Sequence, residues 1–291
     1  MPEQALEPAE TVEVKRRRLR FALRDARKVS GLTQHMVAKK LSWSPSKIVR
    51  IEQGTVPVTP TDVRAMLSLY GVTDQEHVEE LATLAIESRV LKGFKEYSDV
   101  YSSPAMELFG SEAAATAIYK HEPTVIPGLL QTPDYARQLL LGLGNSEDDT
   151  ARKLAARSER QAILDRDAHP ELHFVIGEAA VSRVVGSEDI MIEQLALLRR
   201  RASEPDVNLY ILPFAAGAHR GLGASFTILQ FANAPDVLYL ENAERATVSR
   251  DHPEDLDKYL ELFVHLKEMS ERFGDFDTML DRIREARFAQ A

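Results

Sequence analysis

The sequence predicts an all-α N-terminal domain of five helices, followed by an α+β domain with a mainly antiparallel sheet. Three observations lead there. The chain has 291 residues, more than one hydrophobic core usually organises, so two units are expected. Over the first ninety positions apolar residues recur at steps of three and four between capping and stop residues, whereas short β-rich runs enter beyond position 170. Charge is divided as well. The net charge is −9, yet Val12 to Val72 carries 13 Lys and Arg against Glu13, Asp25, Glu52 and Asp62, giving +9 there and −18 elsewhere. A basic module joined to an acidic body points to nucleic-acid contact by the module.

Each element follows from local signals. Residues 1–11 lack periodicity and read as a mobile arm. Helix one spans Val14 to Lys28, with Leu19, Ala22, Leu23 and Ala26 on one face and arginines on the other, and stops at Gly31. Thr33 caps helix two, Gln34 to Leu41. Ser44 and Pro45 open helix three, which runs to Gln53 and stops at Gly54. Thr59-Pro60 starts a fourth helix ending at Gly71, and Asp74 caps a fifth reaching about Leu91, so the first domain covers 12–91. Gly93, Ser98, Ser102, Ser103 and Pro104 mark 92–111 as a linker.

The second domain, 112–291, is expected to begin with helices at Glu112–Tyr119, Pro133–Leu141 and Asp148–Arg166. Strands are expected at Leu172–Ile176, Val207–Leu212, Phe226–Phe231, Val237–Glu241 and Ala246–Ser249, the last three as an antiparallel meander. Helices are expected at Glu178–Val185, Ser187–Ala202, Pro253–Ser270 and Asp275–Arg287.

Several function classes drop out. Without cysteine there is no disulfide, thiolate zinc site or cysteine nucleophile. No apolar run approaches the roughly 20 residues of a membrane span, and the N-terminus lacks a signal-peptide pattern, so a cytoplasmic protein is expected. Phosphate-loop, His-Glu-x-x-His and Gly-x-Ser-x-Gly motifs are missing, and Pro170 interrupts the helical spacing of His169 and His173. No catalytic residue, metal or cofactor is assigned.

Two short helices joined by a tight turn form a helix-turn-helix, the unit that presents its second helix to the major groove. Here Gln34-x-x-x-Ala38 leads through to Ile48-Val49-Arg50-Ile51-Glu52-Gln53-Gly54. This pattern, over residues 14–72, resembles the XRE class of lambda-repressor-like domains. The resemblance implies that Ser44, Ser46, Lys47 and Arg50 meet base edges, the last two with donors suited to guanine O6 and N7. It implies phosphate contacts from Gln34, helped by Lys15, Arg16, Arg17 or Lys39, and a structural pair between Arg27 and Glu52. Ser42 departs from it, standing where the family usually has glycine in the turn.

Farther along lie Val125-Ile126-Pro127-Gly128-Leu129-Leu130-Gln131-Thr132-Pro133-Asp134-Tyr135-Ala136, Gly177-Glu178-Ala179-Ala180 and Leu212-Pro213-Phe214-Ala215-Ala216-Gly217-Ala218-His219. In that order behind an XRE domain they look like WhiJ-like or antitoxin-like regulators. That resemblance implies a homodimeric transcriptional regulator of inverted-repeat double-stranded DNA, whose large domain senses a small-molecule effector or a small protein encoded nearby. The alternative is an antitoxin-like protein that neutralises a small partner and autoregulates its operon. Gln131, Tyr135, Glu178, His219 and Glu241 are the polar candidates for a ligand pocket, with ordinary packing as the competing reading.

Overall fold

The computed structural model describes residues 11–54, 56–88, 94–166, 169–223, 225–241, 247–249 and 253–273, in two compact units that part between Lys95 and Glu96. The expected arm, apart from Thr11, and the helix expected at Asp275–Arg287 lie outside the described residues.

In the first unit the helices are α1 (Val12–Val29), α2 (Gln34–Leu41), α3 (Pro45–Gln53), α4 (Pro60–Tyr70) and α5 (Gln75–Glu87). Each starts where a short polar side chain takes an orphan backbone amide: Thr11, Thr33, Ser44, Thr59 and Asp74 all accept from an amide of the first turn. Pro45 and Pro60 occupy the first helical position, where no amide bond is lost. Gly54 and Gly71 close α3 and α4 in the left-handed conformation. The core is built from one stripe per helix, including Leu23, Val37, Ile48, Met66 and Leu81, each at most 1 % exposed. Trp43, in the turn between α2 and α3, packs on its edge.

The second unit differs from expectation at its start. Residues expected in the linker form α6 (Ser103–Glu112), and the helix expected at Glu112–Tyr119 is replaced by a strand, β1 (Ala117–Glu122). The Ser and Pro residues that suggest a loop serve instead as a helix start, with Ser102 as cap and Pro104 in the first turn. Ala113, Ala114 and Ala115 favour helix locally, but β1 gains two full ladders by pairing with β2 (Glu171–Gly177) and β4 (Ser225–Gln230), and that tertiary gain wins.

The remaining strands are β3 (Val207–Leu212), β5 (Val237–Glu241), β6 (Thr247–Ser249) and the short β7 (Glu271–Arg272). Among the described residues they form one mixed sheet of order β6-β5-β4-β1-β2-β3-β7. Its β4-β5-β6 part is the antiparallel meander expected, and β1–β4 and β3–β7 are antiparallel too. The β1–β2 and β2–β3 pairs are parallel, an arrangement the run pattern does not disclose. Each requires a crossover: α7 (Pro133–Gly142) and α8 (Glu147–Gln161) supply the first, α9 (Glu178–Ser182) and α10 (Glu188–Ala202) the second. The helix α11 (Pro253–Glu268) buries Leu262, Phe263 and Leu266 against Val175, Phe226 and Ile228 of the sheet.

Gly177 ends β2 where a Cβ would lie 2.3 Å from the Pro123 carbonyl oxygen, so only glycine lets the two backbones approach. In the first unit Ser42 sits at φ 55, ψ 37, the left-handed region, and is the one non-glycine residue with positive φ among those described. That conformation costs an L-residue about 1–2 kcal/mol, of which part returns as the lower unfolded-state entropy of serine relative to glycine. Ser42→Gly is therefore expected to stabilise the first unit by about 1 kcal/mol. Urea unfolding followed by Trp43 fluorescence would read this; an unchanged or lower midpoint would show that the turn carries no such strain.

Candidate nucleic-acid interface

The second helix of the helix-turn-helix is held from beneath by a buried carboxylate. Glu52, on α3, is 4 % exposed and accepts from Arg27 of α1 through both oxygens, at 2.5 Å from Nε and 2.9 Å from the second nitrogen. It also accepts from Gln34 Nε2 of α2 at 2.8 Å. Arg27 reaches the Leu32 carbonyl as well, at 2.8 Å, so one ion pair fixes three helices and the loop between two of them. The hydrogen bond to Glu52 raises the Arg27 pKa beyond its ordinary value despite the burial that opposes it. Burial pushes the nearby Tyr70 phenol well above its usual range, and the charge on Glu52 adds to the shift.

With Ile48 and Ile51 buried beneath it, α3 exposes Ser44, Pro45, Ser46 and Arg50 on its outer face. The Ser44 hydroxyl accepts from the Lys47 amide at 3.2 Å and lies 3.1 Å from the Ser46 hydroxyl, so its cap duty is filled while Ser46 stays on the surface. Arg50 donates from Nε to the Ser46 carbonyl at 3.2 Å, laying its guanidinium along the outer face of the helix. Lys47 is turned aside: its ammonium is 3.0 Å from Asp62 of α4 and 3.5 Å from the Trp43 ring centre. A base contact from Lys47 requires that ion pair to open. Lys39 is exposed on α2 beside Lys40.

Other expected phosphate ligands are placed differently. Gln34 donates its side-chain N–H to Glu52, and in the first turn of α2 the Met36 amide is taken by the Thr33 hydroxyl. Lys15 pairs with Glu87 at 2.6 Å, and Arg16 donates to the Ser88 carbonyl at 2.8 Å, so both close the C-terminal end of α5. Arg17 is 1 % exposed, which takes it away from any phosphate-facing surface. The amphipathic pattern of α1 is too basic for spacing alone to tell which arginine turns inward.

Charge sorting explains where the positive face lies. Acidic residues on α5 meet the bases of α1 and α4: Glu87 with Lys15, Glu80 with Arg18, and Glu79 with Arg64. Between Gly31 and Gln53 the sequence contains one acidic residue, Glu52, and it is buried. The outer surface of α2 and α3 thus carries Lys39, Lys40, Lys47 and Arg50 without a carboxylate of its own.

In the second unit the five ligand candidates do not converge. Gln131 and Glu241 line one cavity of about 300 Å³, whereas Tyr135, Glu178 and His219 are not among its lining residues. Tyr135 is fully buried with its hydroxyl on the Ile126 amide at 3.3 Å. Glu178 accepts from the Phe214 amide at 2.7 Å, and His219 accepts from the Gly221 amide at 3.2 Å. Charged residues that sequence reasoning passed over, Glu112, Lys120, Glu122, Arg157 and Arg160, line the cavity instead.

Two family models match the chain. Residues 18–81 match a helix-turn-helix domain, and residues 105–280, more than half of the chain, match a domain of unknown function (DUF5753). No curated protein and no solved structure matches it. Among the described residues no helix is long and apolar enough to cross a membrane.

Removing the shared carboxylate would leave Arg27 and Gln34 without their acceptor inside the domain. Glu52→Ala is expected to cost about 3 kcal/mol, because breaking a partly buried pair strands the remaining charge. Glu79→Ala, at an exposed pair, should leave the urea midpoint unchanged. Equal midpoints for the two variants would show that Glu52 does not hold the helices.

Proposed function

The chain belongs to the family of the domain of unknown function DUF5753, with a helix-turn-helix domain ahead of it, and on that footing we propose that it is a sequence-specific transcriptional regulator. The observation that carries this reading is the outer face of α2 and α3, whose four cations have no exposed acidic residue among them. Such a face suits a duplex, which carries about one negative charge per 1.7 Å of axis. The XRE-like order of cap, turn, buried Ile48 and Ile51, and stop at Gly54 supports the assignment of α3 as the helix that enters the major groove.

In this proposal Arg50 and Ser46 read base edges, Lys47 joins them after leaving Asp62, and Lys39 with the first-turn amides of α2 holds phosphate. The protein acts as a homodimer, its two α3 helices about 34 Å apart on successive major grooves of an inverted repeat. The second unit biases DNA binding through an effector that prefers one dimer arrangement, since only differential affinity shifts an equilibrium.

Selection from a random duplex pool by the purified chain should return a palindromic site whose affinity falls steeply as salt rises. On that site Arg50→Ala is expected to cost about 1–3 kcal/mol and to relax the preference at one base pair per half-site, while Lys39→Ala weakens all duplexes alike. Asp62→Asn releases Lys47 and should tighten binding. No enrichment at low salt, or equal losses on selected and random DNA for Arg50→Ala, would refute the reading.

A further inference from the structure

The cavity in the second unit lies between one face of the sheet and the helices α6, α7 and α8. Its floor is a row across adjacent strands, Tyr239, Thr227, Lys120 and Phe174, which the register places side by side. Leu108, Ile118, Leu129 and Leu139 add apolar wall. At about 300 Å³ it falls at the small end of ligand sites, which run from about 300 to 1,000 Å³.

Six Glu, Lys and Arg side chains line this space, three acidic and three basic: Glu112, Glu122 and Glu241 with Lys120, Arg157 and Arg160. Two tight pairs use four of them. Arg160 grips Glu112 with two bonds of 2.5 and 2.6 Å, and Lys120 donates to Glu241 at 2.8 Å. The other two are of opposite sign, and neither has a close charged partner of its own: Glu122 shares Lys120 with Glu241 as the longer of its two ion pairs. Glu122 is 3.5 Å from the Lys120 ammonium and is otherwise held by hydroxyls, Ser225 at 2.7 Å and Thr124 at 3.4 Å. Arg157 has only neutral partners among the described residues, the Gln131 side-chain carbonyl and the Tyr101 phenol.

Arg157 is half-buried, and desolvation lowers its pKa against the opposing Tyr101 phenol, whereas for the buried Lys120 desolvation is outweighed by Glu241 and Glu122. A desolvated cation without a counter-charge is costly, and so is a buried hydroxyl without a partner. Thr227 is such a hydroxyl: it lines the cavity, is 1 % exposed, and among the described residues its oxygen has no hydrogen-bond partner.

We propose that this cavity binds a small zwitterion with an apolar body, the chemistry of an apolar amino acid or dipeptide. Its carboxylate pairs with Arg157, its ammonium with Glu122, and its side chain lies against Phe174 and Leu129, with Thr227 supplying a further hydrogen bond. Charge balance selects this class. A simple anion would leave the cavity with one uncompensated negative charge, a simple cation with one positive, and a phosphate dianion would face three carboxylates. A zwitterion keeps the sum at zero while answering both residual groups.

This assignment gives chemical content to the effector of the proposed regulator, but its test needs no DNA, so the two readings fail separately. Calorimetric titration of the full chain with L-phenylalanine, L-leucine and the dipeptide Leu-Phe is expected to show saturable binding by at least one. Two half-ligands, 3-phenylpropionate without the amine and phenethylamine without the carboxylate, should bind at least about tenfold more weakly than the best zwitterion.

Arg157→Gln should erase the advantage of phenylalanine over phenethylamine, and Glu122→Gln its advantage over 3-phenylpropionate. Should either variant fail to fold, Leu139→Trp, which fills the cavity from a half-buried wall position, should abolish binding with the melting temperature retained. Binding of a half-ligand as tight as that of the zwitterions, binding that survives Leu139→Trp, or no binding of any zwitterion at millimolar concentration to folded protein would overturn the proposal.

Discussion

An ionised side chain withdrawn from water costs several kcal/mol unless an opposite charge meets it with good geometry, and this constraint governs how both units are assembled. In the first unit Glu52 can be buried only because Arg27 and Gln34 reach it from two other helices. The crossing of α1, α2 and α3 is thereby fixed by hydrogen-bond directions as well as by apolar packing, which alone tolerates sliding. In the second unit Arg160 on α8 is tied to Glu112 on α6, and Lys120 on β1 to Glu241 on β5, so each pair joins elements distant in the sequence.

The same electrostatics divides the surface of the first unit by function. Ion pairs between α5 and the bases of α1 and α4 use up positive charge where it would otherwise repel within the domain. Such exposed pairs add little stability. Their effect is on the field: they pair off charge on α1, α4 and α5, and the outer surface of α2 and α3 keeps four cations with no acidic residue exposed on those two helices. The acidic remainder of the chain, −18 outside residues 12–72, opposes indiscriminate attraction to polyanions.

The N-terminal helices are legible in the sequence because their signals are local. Thr33, Ser44, Thr59 and Asp74 each cap the helix that starts beside them, and Gly54 and Gly71 stop helices for a backbone reason that needs no tertiary context. The strand β1 is not legible. Its residues Lys120, His121 and Glu122 read as a polar surface segment, and only pairing with β2 and β4 makes them the buried middle of a sheet. The candidate sites divide along the same line. Arg50 and Ser46 are found on the outer face because helical periodicity puts them there, but neither the burial of Arg17 nor the diversion of Lys47 to Asp62 has a sequence signature. Arg157 and Arg160, spaced like any solvated helix face, gave no sign that they line a cavity.

The placement of β1 at the centre of the sheet also sets an order of events at the ribosome. Its partner β4 lies far along the chain, Lys120 and Ser225 being 105 residues apart, so the central ladder must wait until most of the second unit has been made. Loop closure over such distances is slow, and the exposed edge of β1 stays open in the meantime. The first unit closes over shorter distances, its longest being the 72 residues from Lys15 to Glu87, and it is made first. A nascent chain therefore owns a complete helix-turn-helix unit, with its basic face, before the sheet of the second unit can close.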